Sequence, residues 1–392
     1  MIEEDPRRWN VFLLSPGRDE AQQISFKNIT FTIRHLAVGG WQLVAPRAWV
    51  PEELVEWGSG VIIEFNDESV FSGYVTRRKR ERTSDQDLLT LSGKSDLGLV
   101  ARRLASPDPS QPLDEPNQSR DVRNGPAGNL IAGYVNDNAG EGAIEDRKIP
   151  ILSVDTPSED VGSEVTGRAR YNPLVEFCEV LAERAGDVSF SALQRLDSST
   201  VTFSVRETRD LSEEIVFNDD CGTLQSFVYE VEEPDATYVV AGGRGEGDER
   251  LILTGENEPA KDEFGRIETF LDQRNAGEEE DEQSQIDELE DAIEDELKGA
   301  FGSNPKEWLE AKIMNTRGTR FMEHYRVGDI VSVELNDELV RVPQVVREAE
   351  VSIASNGVTV DLLVGNVSDR RTLEAFRELQ VLNKKFSDAG RQ

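Results

Sequence analysis

The chain has 392 residues, with 77 Asp+Glu against 43 Lys+Arg and a formal net charge of −34. Its length fits two to four ordinary domains rather than one, and the 37% of hydrophobic residues fall in patterned runs, which excludes a wholly disordered chain. A general grip on nucleic acid is excluded, because phosphate contacts need clustered Lys and Arg.

From the N-terminus, Trp9–Leu14, the alternating Ile24–Lys27 and Ile29–Ile33, Trp41–Val44, Val61–Phe65, Val70–Thr76 and Leu88–Leu91 predict a series of short strands. Val11–Leu14 is the only uninterrupted apolar stretch at this end, too short to predict a signal peptide or a spanning helix. Gly, Asn and Asp punctuate the strands, as expected of a barrel or sandwich over residues 1–105. Asp96–Leu104 predicts a short helix capped by Asp96. Four prolines in 106–121 mark a boundary. Beyond it, Gly128–Asn136 and Asn172–Ala185 read as helices, the second with Asn172 as N-cap, Pro173 at its first position and Gly186 after its end. With the strand Thr200–Val205 they make 106–205 a mixed α/β insertion.

Strands return at Ile215–Phe217, Leu224–Val231, Ala236–Ala241 and Arg250–Leu253. An acidic stretch, Gly277–Glu282, leads to a helix over Gln285–Leu297. After it come Trp308–Thr316, Asp329–Leu335, Val345–Ile353, an Asn356-Gly357 turn and Val358–Val364, with a polar helix from Thr372. The divisions are therefore 1–105, an insertion at 106–205, a second β region split into 206–275 and 312–368, an acidic helical insertion at 276–311, and a tail at 369–392.

The charge is informative by type. Of the 43 basic residues 33 are Arg, and the carboxylates are spread along the whole chain. Self-repulsion at −34 opposes compaction at low salt, and at molar salt the Debye length shrinks to roughly 3 Å. This pattern is that of a protein working in concentrated salt. The one basic run, Arg77-Arg78-Lys79-Arg80 and Arg82, is interrupted by Glu81, Asp85 and Asp87 and reads as a solvated strand end or subunit contact.

Chemistry-bearing patterns are sparse. His35 and His324 are the only histidines, and Cys178 and Cys221 lack metal or disulfide spacing, so no catalytic residue, metal site or cofactor is expected. The Gly242–Gly247 loop follows a strand but lacks the Gly-Lys-Ser/Thr of a phosphate loop and reads as a hairpin turn. Ile286, Leu289, Ile293 and Leu297 are spaced 3, 4, 4. They form the apolar stripe of an amphipathic helix, packed on its own domain or serving as a subunit-contact helix. Trp41, Trp49 and Trp57 could supply an aromatic platform or a barrel core.

Several stretches resemble the tail-tip or baseplate hub proteins of long-tailed siphoviruses, including those of actinobacterial phages and haloarchaeal tailed viruses. They are Val70-Phe71-Ser72-Gly73-Tyr74-Val75 with the basic strand after it, Asn124-Gly125-Pro126-Ala127-Gly128, Arg206–Phe217, Tyr238–Gly247 with Arg250, and Tyr325-Arg326-Val327-Gly328-Asp329-Ile330-Val331. The resemblance implies a mainly β fold with α/β insertions, in which two β-barrel-like tube domains per subunit build a homotrimeric ring. That ring would join the tail tube or distal tail protein to tip or receptor-binding proteins of the virion and let DNA pass without binding it. Assembly is expected in the host cytoplasm. A tail-associated cell-surface hydrolase and a glycan- or receptor-binding module are the competing expectations.

Overall fold

The structure is a computed structural model. It describes residues 8–365 apart from 219, 246, 275–281, 299–305, 317, 336–339 and 356. The expected C-terminal helix from Thr372, most of the acidic stretch before residue 282, and Asn356 of the Asn-Gly turn lie outside the described residues.

The first block contains β1 (Trp9–Leu14), β2 (Ala21–Gln23), β3 (Asn28–Arg34), β4 (Gly40–Pro46), β5 (Gly60–Phe65), β6 (Glu68–Arg82) and β7 (Asp87–Ser95), followed by α1 (Leu97–Val100). A mixed segment follows with β8 (Leu104–Ala105), β9 (Asp121–Pro126), α2 (Ala127–Ala139), β10 (Leu152–Val154), β11 (Glu164–Ala169) and β12 (Asn172–Pro173). It closes with α3 (Leu174–Ala185), β13 (Val188–Gln194) and β14 (Val201–Glu207). Next come β15 (Val216–Asn218) and β16 (Leu224–Glu232), then β17 (Tyr238–Gly242), β18 (Ile252–Glu256), α4 (Glu258–Phe264), β19 (Glu268–Asp272) and α5 (Glu282–Lys298). The described chain ends with β20 (Lys306–Ile313), β21 (Ile330–Leu335), β22 (Val340–Ala354) and β23 (Gly357–Gly365).

Thirteen of these strands form one sheet whose main path runs β16-β20-β23-β22-β3-β4-β7-β6-β5-β1-β2, with β21 on β22 and β15 on β21. Alternation explains the seam between the two blocks. In β3 Ile29 and Phe31 are fully buried, and their register partners on β22, Ile353 and Val351, are buried on the same side. Two separate barrel-like domains were expected; the β3–β22 seam instead makes one shared sheet, and among the described residues no pairing closes it between β2 and β16. One large core serves both blocks, with Trp9, Phe31 and Phe71 on one side of the seam and Phe217, Phe321 and Tyr325 on the other.

The mixed segment has its own core around Tyr134, Phe177, Leu181 and Phe203. Tyr134 and Phe177 meet edge to face at 4.9 Å, joining α2 to α3. The residues of α3 fit its start and stop: Leu174, Phe177, Cys178 and Leu181 are buried, and Gly186 ends the helix at φ +77°. Asn172 does not cap it. That residue lies in β12, its side chain accepts from the Arg170 N–H, and Pro173 takes the cap position. Asp96 likewise leads into α1 without capping it with its side chain.

A third, small core holds Ala236, Val239, Ala241, Leu289 and Ile293. Here β18 and β19 flank β17, antiparallel and parallel respectively, and α5 covers one face of the three strands. This unit interrupts a hairpin of the large sheet: β16 pairs antiparallel with β20 from Leu224↔Ile313 to Glu232↔Lys306. Thus β17–β19 share a core with α5, while Lys306–Ile313 pairs into the large sheet.

Candidate assembly surfaces

Two of the segments that carry the resemblance meet in space. The Arg209 guanidinium pairs through Nε and Nη2 with Asp329, which is fully buried. The Leu211 N–H donates to the Ile330 carbonyl, and the Ile330 N–H donates to that of Arg209. Arg326 reaches across to Glu68 at 3.0–3.1 Å, and Arg8 to Glu323 at 2.6 Å, tying this loop to the first block.

On α3, the carboxylates Glu179 and Glu183 approach Arg347 of β22, whose guanidinium is 3.5 Å from Glu183. Burial foremost, with Glu183 and Glu176 adding repulsion, pushes the Glu179 carboxyl up to about 7. His35 lies nearby; burial, then Arg347 and Arg206, push it down to about 3, so the imidazole is neutral. His324 accepts from the Arg320 N–H through Nδ1 and serves the local turn. Neither histidine joins a metal-ligating group: among the described residues no cluster of three or more His, Cys, Asp or Glu is suited to a metal ion.

The glycine loop is filled by the protein itself. Arg250 donates to the carbonyls of Gly242 and Gly243 and pairs with Asp272. Carbonyls turned toward a guanidinium are the opposite of the N–H cradle that a phosphate needs.

The four stripe residues lie on α5. Leu289 and Ile293 are buried against Val239 and Ala241, while Ile286 and Leu297 are half-buried. Gly243 and Gly255 let the helix approach the strands closely: a Cβ on Gly243 would sit 2.6 Å from Gln285 Nε2 and 3.0 Å from Leu289 Cδ1. The polar side of α5 pairs with the mixed segment, Glu288 with Arg120 and Asp291 with Arg168. Between α3 and α5 lies a crevice of about 380 Å³, walled by Phe177, Val180, Leu181 and Ala292.

The basic run continues β6 instead of ending it. From Arg77 to Arg82 the strand pairs with β7, whereas β5 pairs only with Glu68–Tyr74. Residues 76–82 are all exposed. Arg80 pairs with Asp87 through two bonds of 2.8 and 2.6 Å, Lys79 with Glu81 at 2.9 Å, and Arg78 lies 4.5 Å above the Trp57 ring. The three tryptophans divide: Trp41 is buried in the core, while Trp49 and Trp57 are 50% and 62% exposed beside β7 and β6 respectively.

Sequence reasoning missed one polar centre altogether. Arg18, at φ +60° in the β1–β2 turn, is buried with Asp96, Ser72 and Gln194 where the first block meets β13. These residues are scattered over the chain and leave no local pattern.

Comparison with solved structures shows the same fold over nearly the whole chain. The 43 kDa tail protein of prophage MuSo2 from Shewanella oneidensis aligns with a TM-score of 0.54 at 12% identity, covering 91% of this chain and 98% of that one. Prophage tail protein gp18 from Listeria monocytogenes EGD-e gives 0.55 at 7% identity, covering 95% and 99%. The tail protein from Neisseria meningitidis MC58 gives 0.51 at 11% identity, covering 92% and 97%. No curated protein sequence matches the chain. Residues 18–366 match the family model of siphovirus ReqiPepy6 Gp37-like proteins, and the chain belongs to that family.

Proposed function

We propose that this protein is a structural component of a siphovirus tail, acting as the baseplate hub at the tail tip. The carrying observation is the single open sheet, built from both ends of the chain, in a fold shared with three tail proteins, two of them from prophages, along 91–95% of its length. In this reading three subunits form a ring between the tail tube and the tip proteins. A trimer of 43.7 kDa chains has a mass of about 131 kDa. An acidic lumen repels phosphate and lets duplex DNA slide. The excess of carboxylates over basic residues, 77 to 43, suits a virion assembled in a salt-rich cytoplasm such as that of a haloarchaeal host.

The role is non-catalytic, carried by protein–protein contacts. A sugar platform on Trp57 is disfavoured, since Arg78 already lies over that ring. Labelling purified virions with an antibody against this chain tests the reading. Label at the tail end distal to the capsid is expected, and label on the capsid, or absence from virions, overturns it.

A further inference from the structure

Most of this surface repels a copy of itself, which makes the exception informative. Between Thr76 and Asp87 basic residues outnumber acidic ones five to three, against 43 to 77 in the whole chain. Among the described residues the two strongly exposed tryptophans lie against the two strands of this ribbon, Trp57 under Arg78 of β6 and Trp49 in the 47–49 turn that contacts β7. Arg78 stacks on Trp57 and donates to the Val55 carbonyl, which holds the loop of residues 52–57 against the ribbon. Arg77 has no ion-pair partner among the described residues. Half-exposed Trp beside Arg is the composition of interface centres, where a large rigid ring and a forked cation supply most of the binding energy.

We infer that the β6–β7 ribbon with Trp49 and Trp57 is a docking surface for a second copy of this chain. The inference rests on the reading of the protein as a self-assembling tail component and names the contact surface within it. Charge selects the occupant. A copy carrying −34 offers acidic surface on nearly every side, and the ribbon is where that field meets cations. Nucleic acid is the poorer fit: Lys79 and Arg80 are already neutralised by Glu81 and Asp87, which leaves too few free cations for a run of phosphates. The edge of β6 past Val75, which no strand pairs on the β5 side among the described residues, adds backbone groups that a neighbour can cover.

The test measures self-association of the full chain by light scattering over a concentration series, at about 0.3 M and about 3 M KCl. The wild type is compared with R77E/R82E and with W57A, each checked for an unchanged melting curve. The double charge reversal should weaken association about tenfold or more at the lower salt and by no more than about twofold at the higher. The tryptophan variant should weaken it about tenfold at both. Undiminished association of both variants overturns the inference and leaves the tail reading standing, since the oligomer would then use another face. A wild type that stays monomeric to about 100 µM at both salts also overturns it, while virion labelling decides the tail reading separately. Duplex DNA binding that is lost in R77E/R82E, without any effect on association, overturns it in favour of nucleic acid.

Discussion

Arg18 and Asp96, 78 positions apart, form a buried two-bonded ion pair, with Nη2 2.7 Å from Oδ1 and Nη1 2.9 Å from Oδ2. The Ser72 hydroxyl donates to the same carboxylate at 2.6 Å, and Arg18 also donates to Gln194 of β13 at 2.9 Å. The Gln194 N–H in turn donates to Ser72 at 2.8 Å. The mixed segment is thereby fastened to the large sheet by a fully satisfied polar cluster. Replacing Arg18 by Met leaves the Asp96 charge buried without its partner and should cost about 3–5 kcal/mol in urea unfolding. R18M/D96N should recover a good part of that loss, whereas a merely steric role for Arg18 would leave the double variant as unstable as the single one.

Trp41 lies flat against two glycines of neighbouring strands. A Cβ at Gly93 would sit 2.5 Å from the indole Nε1, and one at Gly73 2.8 Å from the same atom. The same Cβ would overlap the Tyr74 carbonyl oxygen of β6, so Gly93→Ala should force the indole and the β6–β7 pairing aside and lower stability by about 2–3 kcal/mol. Tryptophan fluorescence followed through thermal unfolding reports both the lost stability and any change around Trp41.

The small core of Val239, Ala241, Leu289 and Ile293 is separate from the large one. Leu289→Ala should cost about 2–4 kcal/mol, confined to that unit. Hydrogen exchange should speed up across β17–β19 and α5 while the large sheet keeps its protection. Loss of protection in β3 and β22 as well would show the two cores to be one cooperative block.

Glu179 and His35 set opposite pH dependences. The Glu179 carboxyl is raised to about 7 from 4.5 by burial and its acidic neighbours, so the native state holds a proton that the unfolded state has released. Stability from this group is full below about pH 4.5 and declines as pH rises toward 7. His35, lowered to about 3 from 6.5, makes the fold lose stability as pH falls from 6.5 toward 3. Glu179→Gln should stabilise by about 1–2 kcal/mol at pH 8, after discounting for partial exposure, and by nearly nothing at pH 5. Denaturant midpoints at the two pH values check this.

Salt should act on the whole chain. Repulsion among 77 carboxylates is screened at molar ionic strength, so the thermal midpoint should climb steeply between about 0.1 and 2 M KCl. A midpoint indifferent to KCl over that range would show that the surface charge is tolerated without concentrated salt.

The strands that bury one face were legible because alternation records burial directly: Ile29 and Phe31 in β3, or Trp41 and Leu43 in β4, point inward at every second position. Ile24–Lys27 alternates equally well yet forms no strand, since Ile24 drops into the core from the connection between β2 and β3. The reach of β6 through Arg82 was hidden, because a strand with solvent on its exposed side needs no apolar residue there. The stripe on α5 was legible as an amphipathic helix, but β19 of its partner strands was not, being a five-residue piece whose Phe270 is exposed and whose apolar and polar residues do not alternate. The polar cluster at Arg18 had no signature in any window, because its members are brought together only by the completed fold.

Glu232 and Lys306 are direct register partners in the last rung of the β16–β20 hairpin. The two ends of everything between them are thus one strand spacing apart, about 5 Å. Residues 233–305 can be cut out and a two-residue turn put in their place without moving any strand of the large sheet. The same junction accepts a different module of any size whose own ends are adjacent. What lies between Glu232 and Lys306 is thus set into the sheet at a single rung, and the register of β16 with β20 does not depend on its size.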